Sequence, residues 1–195
     1  VLVTGHTGFK GTWLVLILKF FGAQVYGISL KPKKNSMYFQ VGLKKLISEK
    51  FIDIRSYNEL NNHILKIKPD FIFHLAAQAL VKESYNNPLN TISTNIIGTS
   101  NVLDVARRFK HKCILIIITS DKCYKNIEQI WGYKECDELG GDDTYSASKA
   151  SCEIIFNSYF NSYFKNNSKK IRISSVRAGN VIGGGDWSEN RIIPD

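Results

Sequence analysis

Short apolar runs alternate along this chain with longer stretches in which apolar residues recur every three or four positions. Short apolar runs flanked by turn residues are typical of buried strands, and the longer period is typical of helices. The predicted strands are Val1–Thr4, Gln24–Ser29, Lys50–Asp53, Asp70–Leu75, Cys113–Thr119 and Ile171–Arg177. The predicted helices are Phe9–Phe21, Tyr57–Ile67, Leu89–Lys110 and Tyr145–Phe164.

Strands that alternate with helices predict an α/β fold with a Rossmann-type, doubly wound parallel sheet and ligands at the carboxyl ends of its strands. The longest irregular stretch, Asp121–Asp143, exceeds the usual length of a connection, so we expect it to form part of a site. A chain of 195 residues with 44% hydrophobic content can bury one core, which predicts one domain over residues 1–195. The chain opens inside a strand and stops at Ile193-Pro194-Asp195, so we expect a fragment whose C-terminal substrate domain is largely missing.

The composition excludes several classes of protein. The net charge of +9 comes from scattered Lys and Arg, with no basic stripe interleaved with aromatic residues, so we expect no nucleic-acid or membrane partner. The longest apolar run, Ile114–Ile118, is too short to span a bilayer, and we expect no signal peptide. The four cysteines lack C-x-x-C spacing, which supports neither a metal site nor a disulfide framework and fits a cytoplasmic protein best.

The first predicted strand runs directly into a glycine-spaced turn. Gly5, Gly8 and Gly11 would permit a tight turn, a close approach of backbone N–H groups to a pyrophosphate, and close helix packing. An ordinary glycine-rich turn is the alternative, but the position between a strand and a helix favours a dinucleotide. The predicted cofactor-binding residues of this turn are Gly5, Thr7, Gly8, Phe9, Lys10 and Gly11.

The acidic residue that usually follows the second strand and binds the adenosine ribose is missing, because Ser29-Leu30-Lys31 stands there. We expect NAD, while Lys31, Lys33 and Lys34 leave NADP open. After the third and fourth strands, Asp53 could accept from the adenine amino group and Ala76 and Ala77 would let the cofactor pass close to the backbone. Strand-end packing is the alternative for each of these residues. The remaining predicted cofactor contacts are Asp53, Ile54, Leu75, Ala76 and Ala77.

Tyr145 and Lys149 stand four residues apart on a predicted helix that Asp143 or Thr144 would cap, so both side chains emerge on one face. An ammonium near a phenol lowers the pKa of the phenol and makes it a general base for a substrate hydroxyl. Tyr-x-x-x-Lys is common in exposed helices. Here it gains weight from the glycine turn and from Thr119-Ser120 at a strand end.

This arrangement resembles the nucleotide-sugar branch of the extended short-chain dehydrogenase/reductases, and the resemblance covers the whole chain. Within that branch it is most similar to the CDP-glucose 4,6-dehydratases. The motifs that carry the resemblance are Gly5-His6-Thr7-Gly8-Phe9-Lys10-Gly11, His74-Leu75-Ala76-Ala77-Gln78, Thr119-Ser120-Asp121-Lys122-Cys123-Tyr124, Trp131-Gly132-Tyr133 and Arg177-Ala178-Gly179-Asn180-Val181-Ile182-Gly183-Gly184-Gly185-Asp186-Trp187.

The resemblance implies oxidation of CDP-glucose at C4 by NAD, loss of water across C5 and C6, and return of the hydride to C6. It implies that Tyr145 removes the C4 hydroxyl proton, Ser120 binds the C4 oxygen, and Lys149 supports Tyr145 while both contact the cofactor. Asp121 would be the acid at the C6 hydroxyl, and Lys122, where related dehydratases carry Glu, would be the base at C5. The implied substrate-binding residues are Gln78, Lys82, Ser84, Asn180 and Arg191, the last of which could equally be a surface arginine.

The resemblance also implies a homodimer, or a dimer of dimers, that pairs through Leu89–Lys110 and Tyr145–Phe164, although their apolar positions could instead face the sheet. Asn95 resembles an active-site asparagine that braces the catalytic loop. A nucleotide-sugar 4-epimerase would share the cofactor site but needs no acid and base for elimination, so Asp121-Lys122 argues against it. A non-catalytic dinucleotide-binding protein is disfavoured by the intact Ser120, Tyr145 and Lys149. Selection of cytosine is expected to depend on the missing C-terminal part.

Overall fold

The computed structural model describes residues 1–167 and 170–188. Within these residues the chain forms a six-stranded, all-parallel sheet in the order β3-β2-β1-β4-β5-β6. This order confirms the predicted Rossmann-type, doubly wound sheet. The strands are β1 (Leu2–Thr4), β2 (Tyr26–Ser29), β3 (Ser48–Phe51), β4 (Phe71–His74), β5 (Cys113–Ile118) and β6 (Ile171–Val176).

Helices connect the strands, and the two longest predicted helices contain a change of helix type. The predicted helix Leu89–Lys110 begins at Pro88, where the missing N–H costs nothing, and passes through a π-helical stretch at Ser93–Ile97. The predicted helix Tyr145–Phe164 ends in a second π-helical stretch, Phe160–Phe164. The α-helices are α1 (Phe9–Phe20), α2 (Met37–Gln40), α3 (Tyr57–Ile67), α4 (Val81–Asn86), α5 (Pro88–Ile92), α6 (Gly98–Arg107) and α7 (Thr144–Tyr159).

Several short elements were not predicted, because runs of three to six residues carry too little periodicity to show in a sequence. They are α2, α4 and the 3-10 turns Leu43–Lys45, Asp121–Cys123 and Lys165–Asn167. The third strand also lies two residues earlier than predicted, at Ser48–Phe51 instead of Lys50–Asp53. Asp53 is therefore in the loop after the strand.

The sheet has a hydrophobic core on each face. Successive residues of a strand point to opposite faces, so Leu2 belongs to one core and Val3 to the other. The larger core packs the sheet against α3, α6 and α7, and the smaller core packs it against α1 and α2. Chain connections leave β1 and β4 in opposite directions, which opens a crevice between the carboxyl ends of these two neighbouring strands.

Among the described residues, no helix is long and apolar enough to cross a membrane. The four cysteines are free thiols, of which only Cys136 is exposed.

Ile64 of α3 is fully buried in the larger core, so replacing it tests that core. Ile64→Ala should lower the free energy of unfolding by about 3 kcal/mol, because it removes buried methyl groups and leaves a cavity. Urea denaturation measures the change. Ile130→Ala is the matched control, since Ile130 is 95% exposed, and it should change the free energy of unfolding by less than about 0.5 kcal/mol. Equal effects of the two substitutions would contradict this assignment of the core.

Candidate active site

The glycine turn between β1 and α1 brings backbone against backbone. Gly5 has φ +77°, and a Cβ at this position would lie 2.7 Å from the Ala76 amide nitrogen. A Cβ at Gly11 would lie 2.1 Å from the Gly5 carbonyl oxygen. The Gly8 N–H donates to the Gly5 carbonyl at 3.1 Å, and Gly8 is the N-cap of α1. The N-terminal turn of α1 therefore lies at the crevice, where the positive end of a helix dipole favours an anion.

A cavity of about 370 Å³ lies in this crevice. Its wall brings together the residues predicted from the glycine turn and from the ends of the third and fourth strands, so these distant segments form one site. Residues that the sequence analysis did not assign to the site also line it, notably Arg55, Asn90 and Thr94. The predicted residues in the wall are Gly5, Thr7, Gly8, Phe9, Lys10, Gly11, Asp53, Ile54, Leu75, Ala76, Ala77 and Gln78.

Asp53 is engaged by the neighbouring Arg55 on the cavity wall. Arg55 Nε donates to both carboxylate oxygens at 3.0 Å, and its backbone N–H donates to Oδ1 at 2.9 Å. The side-chain hydrogen bond from Arg55 holds the pKa of Asp53 below its ordinary value. Arg55 Nη1 also donates to Asn90 Oδ1 at 3.0 Å, which ties the loop after β3 to α5. The sequence offers one sign that Arg55 belongs to this site, because it stands two residues after Asp53, a predicted cofactor contact.

The end of β2 presents hydroxyl groups to the cavity. Ser29 Oγ donates to the Leu30 carbonyl at 2.8 Å and lies 2.9 Å from Thr7 Oγ1. Ser29 and Leu30 both line the cavity, whereas Lys31, Lys33 and Lys34 are not among its lining residues.

A buried hydrogen-bond chain lies beneath the crevice. The Ala76 N–H donates to Thr4 Oγ1, which lies 2.7 Å from His74 Nδ1, and His74 Nε2 lies 3.1 Å from Thr99 Oγ1. If the Thr4 hydroxyl donates its one proton to Nδ1, the His74 proton is on Nε2 and is donated to Thr99. Burial, with a contribution from the charge of Lys149, lowers the pKa of His74 to about 3, so the imidazole is neutral.

Asn95 ties the loop after β4 to α7. Its Oδ1 accepts from the Gln78 N–H at 2.8 Å, while its Nδ2 donates to the Gln78 carbonyl at 3.0 Å and to Ser148 Oγ at 2.9 Å. Asn95 lies within the π-helical stretch. The Gln78 side chain, predicted to contact substrate, bonds to Leu80 and Thr91 and so stabilises its own loop.

Tyr145 and Lys149 occupy the first turns of α7. Asp143 caps this helix by accepting from the Ser146 N–H at 2.9 Å. Of the two predicted N-cap residues, Asp143 and Thr144, the N-cap is therefore Asp143. Both side chains are buried, and Lys149 Nζ lies 5.9 Å from the centre of the Tyr145 ring. Desolvation by burial lowers the pKa of Lys149 below its ordinary value. The predicted base and its neighbouring cation are thus together on one helix face.

The turn after β5 carries the other predicted catalytic residues. Ser120 Oγ accepts from the Lys122 N–H at 3.2 Å and donates to Asp121 Oδ1 at 3.0 Å. Asp121–Cys123 forms a 3-10 turn that packs against α7, and the Asp121 N–H donates to the Ala178 carbonyl. Asp121 and Lys122 are exposed, whereas Ser120 is buried. The structure therefore sets a hydroxyl, a carboxylate and an ammonium beside the Tyr145 helix.

Three of the described residues predicted to bind substrate, Lys82, Ser84 and Asn180, are not among the residues that line the cavity. Ser84 is fully buried, and its hydroxyl donates to the Val81 carbonyl at 2.7 Å within α4. Lys82 is exposed on the same helix, and Asn180 is exposed after β6. Arg191 lies outside the described residues. Among the described residues, no group of three or more His, Cys, Asp or Glu could hold a metal ion.

This chain matches both a protein-family profile and a named bacterial relative. The profile of a family described as GDP-mannose 4,6 dehydratase matches residues 2–174. A CDP-glucose 4,6-dehydratase of Salmonella typhimurium is 45% identical over 100% of this chain and 55% of its own length. The chain therefore spans about half the length of this relative.

Two solved structures share the fold. UDP-glucose 4-epimerase of Thermus thermophilus in complex with NAD superimposes with a TM-score of 0.81, at 26% identity over 96% of this chain and 57% of that one. A double mutant of the dTDP-glucose 4,6-dehydratase of Streptomyces venezuelae, with NAD bound, gives a TM-score of 0.83 at 23% identity over 99% of this chain and 59% of that one.

The buried neutral His74 predicts a pH dependence of stability. Its pKa of about 3 in the folded state lies below the ordinary unfolded value, so its contribution is complete above that value and is lost as pH falls. The difference in unfolding free energy between the wild type and His74→Gln should shrink by about 2 kcal/mol from pH 7.5 to pH 5. Urea denaturation at each pH measures it, and other titrating groups cancel in the difference. A difference that is constant with pH would contradict a neutral His74.

Proposed function

Because this chain belongs to the GDP-mannose 4,6 dehydratase family, we propose that it carries the cofactor-binding and catalytic residues of a CDP-glucose 4,6-dehydratase. This hydro-lyase would convert CDP-glucose to CDP-4-keto-6-deoxyglucose and water, for deoxysugar and O-antigen-type polysaccharide biosynthesis. The observation that carries the proposal is the Asp121–Cys123 turn packed against the helix of Tyr145 and Lys149. The 45% identity to the Salmonella typhimurium dehydratase supports CDP-glucose as the substrate.

NAD is the proposed cofactor, and the crevice fits a dinucleotide. Gly5 and Gly11 leave no space for side chains, so the N-terminus of α1 lies close to the cavity where a pyrophosphate would be stabilised. Asp53 is a carboxylate that could accept from the adenine amino group. Ala76 and Ala77 line the cavity and would give the cofactor room beside β4. Tyr145 and Lys149, which are not among the lining residues of this cavity, would hold the nicotinamide ribose. When bound, NAD would take a hydride from C4 of the sugar and return it to C6.

The first proton transfer falls to Tyr145, which would remove the C4 hydroxyl proton as the C4 carbon is oxidised. Lys149, buried one helical turn away, would stabilise the resulting phenolate through its positive charge. Ser120 would donate a hydrogen bond to the C4 oxygen. Its hydroxyl donates to Asp121 in this structure, so it would exchange that partner for the substrate.

Elimination follows because a ketone at C4 acidifies the proton on C5. Lys122, acting as the neutral amine, would take the C5 proton, and Asp121, acting as the protonated carboxylic acid, would give a proton to the departing C6 hydroxyl, which leaves as water. These two residues are adjacent and exposed on one 3-10 turn, so a sugar placed against Ser120 would have both within reach. Asn180 and Arg191 are proposed contacts to the nucleotide diphosphate, and Gln78, Lys82 and Ser84 are proposed residues of the sugar pocket.

A 4-epimerase is the alternative function, since the Thermus thermophilus epimerase shares this fold and its NAD complex. An epimerase would use Tyr145 and Lys149 but has no need of an acid and a base beside C5 and C6. The adjacent Asp121 and Lys122 favour the dehydratase.

We also propose a cytoplasmic homodimer. Large apolar side chains are exposed along α5, α7 and the π-helical stretches that adjoin them, where a second copy would cover them. These residues are Leu89, Ile92, Ile97, Ile154, Phe160 and Tyr163. The free thiols fit a reducing compartment.

Substrate choice tests the proposed function. The full-length protein, supplied with NAD, is incubated separately with CDP-glucose, UDP-glucose and dTDP-glucose, and the absorbance of a 4-keto-6-deoxy sugar in alkali is read. CDP-glucose alone should give the signal. No product from any of the three, with NAD binding confirmed by fluorescence titration, would exclude the dehydratase. NADP binding more tightly than NAD in the same titration would overturn the choice of cofactor.

Lys122→Ala tests the assignment of the C5 base. It should slow exchange of the C5 proton with deuterated solvent about 100-fold or more, the usual size of a lost general base. Oxidation at C4, followed as transient reduction of the cofactor, should continue. Lys125→Ala is the control, because Lys125 is an exposed lysine three residues further on that pairs with Glu138. Normal C5 exchange in Lys122→Ala would show that another group is the base.

A further inference from the structure

Glu153 is a buried carboxylate that none of the proposed catalytic steps uses. It lies on α7 one turn after Lys149 and is 1% exposed. Its Oε1 accepts a hydrogen bond from Thr119 Oγ1. Its Oε2 accepts two hydrogen bonds, from Ser175 Oγ and from Arg177 Nη2, and both of these measure 3.0 Å. Both oxygens are thus occupied by groups from the ends of β5 and β6. Glu153 joins α7 to the two strands that precede Ser120 and Asn180.

Arg177 extends this connection to the irregular segment that follows the catalytic turn. Its Nη1 donates to the Glu135 carbonyl at 3.0 Å, and its guanidinium lies 4.8 Å from the centre of the Tyr124 ring. Burial acts to lower the pKa of the Arg177 guanidinium, but its hydrogen bonds to Glu153 and Tyr124 and the negative charge of Glu153 together outweigh burial and raise this pKa above its ordinary value. The two terminal nitrogens of Arg177 therefore bind Glu153 of α7 and the backbone of the irregular segment at the same time.

The segment 124–139, which we call the excursion, is closed at its base. Lys125 N–H donates to the Glu138 carbonyl and Gly140 N–H donates to the Cys123 carbonyl, both at 2.9 Å. Tyr124 stacks on Tyr133, with ring centres 5.1 Å apart. The excursion starts directly after the Asp121–Cys123 turn and leads to Asp143, the N-cap of α7. The excursion therefore connects the Asp121–Cys123 turn to α7. Arg177 links it to Glu153.

We propose that Glu153 and Arg177 are positioning residues, which couple the excursion to the strand end and set Ser120 against Tyr145. This inference rests on the proposed dehydratase function. Thr119 is the link to Ser120, because its hydroxyl donates to Glu153 and its backbone N–H donates to the Val176 carbonyl at 2.9 Å. Because its hydroxyl and its backbone N–H are both hydrogen-bonded, Thr119 fixes the backbone from which the Ser120 side chain extends. A shift of the pair would move Ser120 relative to α7.

The test replaces both charges at once, because removing Arg177 alone would leave the buried Glu153 carboxylate without its counter-charge. In the full-length protein, Glu153→Gln combined with Arg177→Met should lower kcat for CDP-glucose about tenfold or more, since small misplacements of catalytic groups are costly. KM and the affinity for NAD should stay within about twofold, because neither residue lines the cofactor cavity. The amide hydrogens of Lys125 and Gly140, whose hydrogen bonds close the base of the excursion, should exchange with solvent faster than in the wild type.

Two further variants make the test specific. Glu138→Gln removes an exposed carboxylate that pairs with Lys125 in the same excursion, and it should leave kcat unchanged. Arg177→Lys keeps the charge but lacks the two-armed reach, so it should repeat the loss of kcat and the faster exchange. It also supplies both readouts if the double variant fails to fold by circular dichroism.

A folded double variant or Arg177→Lys variant with unchanged kcat would overturn the proposal, as would a raised KM with unchanged kcat. If the wild-type protein turns over no nucleotide sugar, the proposed function has failed, but the exchange measurement still decides the coupling. Unchanged exchange of the excursion in both variants would then overturn it.

Discussion

The crevice depends on a contact between backbones that leaves no space for a side chain. A Cβ on Gly11 would lie 2.1 Å from the Gly5 carbonyl oxygen, so only glycine lets the start of α1 rest on the end of β1. Gly5 in turn adopts φ +77° against Ala76 of the neighbouring β4 loop. The end of β1 and the start of α1 therefore meet the loop after β4, which is far from both in sequence. The cavity, the direction of α1 and the spacing of the β4 loop all follow from this approach.

Hydrogen bonds between buried polar groups hold the remaining parts of the site, since a polar group buried without a partner is costly. Thr4, His74 and Thr99 connect β1, β4 and α6 below the crevice. Asn95 connects the β4 loop to α7. Hydrogen bonds of this kind are directional, so they fix positions that apolar packing alone would leave variable. The proposed catalytic groups rest on this polar layer.

The fold and the glycine turn could be predicted because their signals are local. Periodicity marks the strands and helices, and the spacing of Gly5, Gly8 and Gly11 or of Tyr145 and Lys149 is legible within a few residues. The Glu153–Arg177 pair could not be predicted in this way, since its partners are 24 residues apart and meet only through packing of α7 against β6. The role of the Gln78 side chain was likewise hidden, because Thr91, its partner, lies on α5. The π-helical stretches change the helix type without changing the apolar pattern, so the sequence predicts a continuous helix there.

We infer that one edge of the sheet holds both the dinucleotide crevice and the groups that oxidise and dehydrate the same sugar. Transfer of the C4 hydrogen tests this most directly, with CDP-glucose carrying deuterium at C4 and NMR of the product. We expect deuterium in the C6 methyl group of CDP-4-keto-6-deoxyglucose, because the hydride removed from C4 would return to C6 within the same site. Deuterium found at C4 of an epimerised sugar, or lost to solvent, would contradict it.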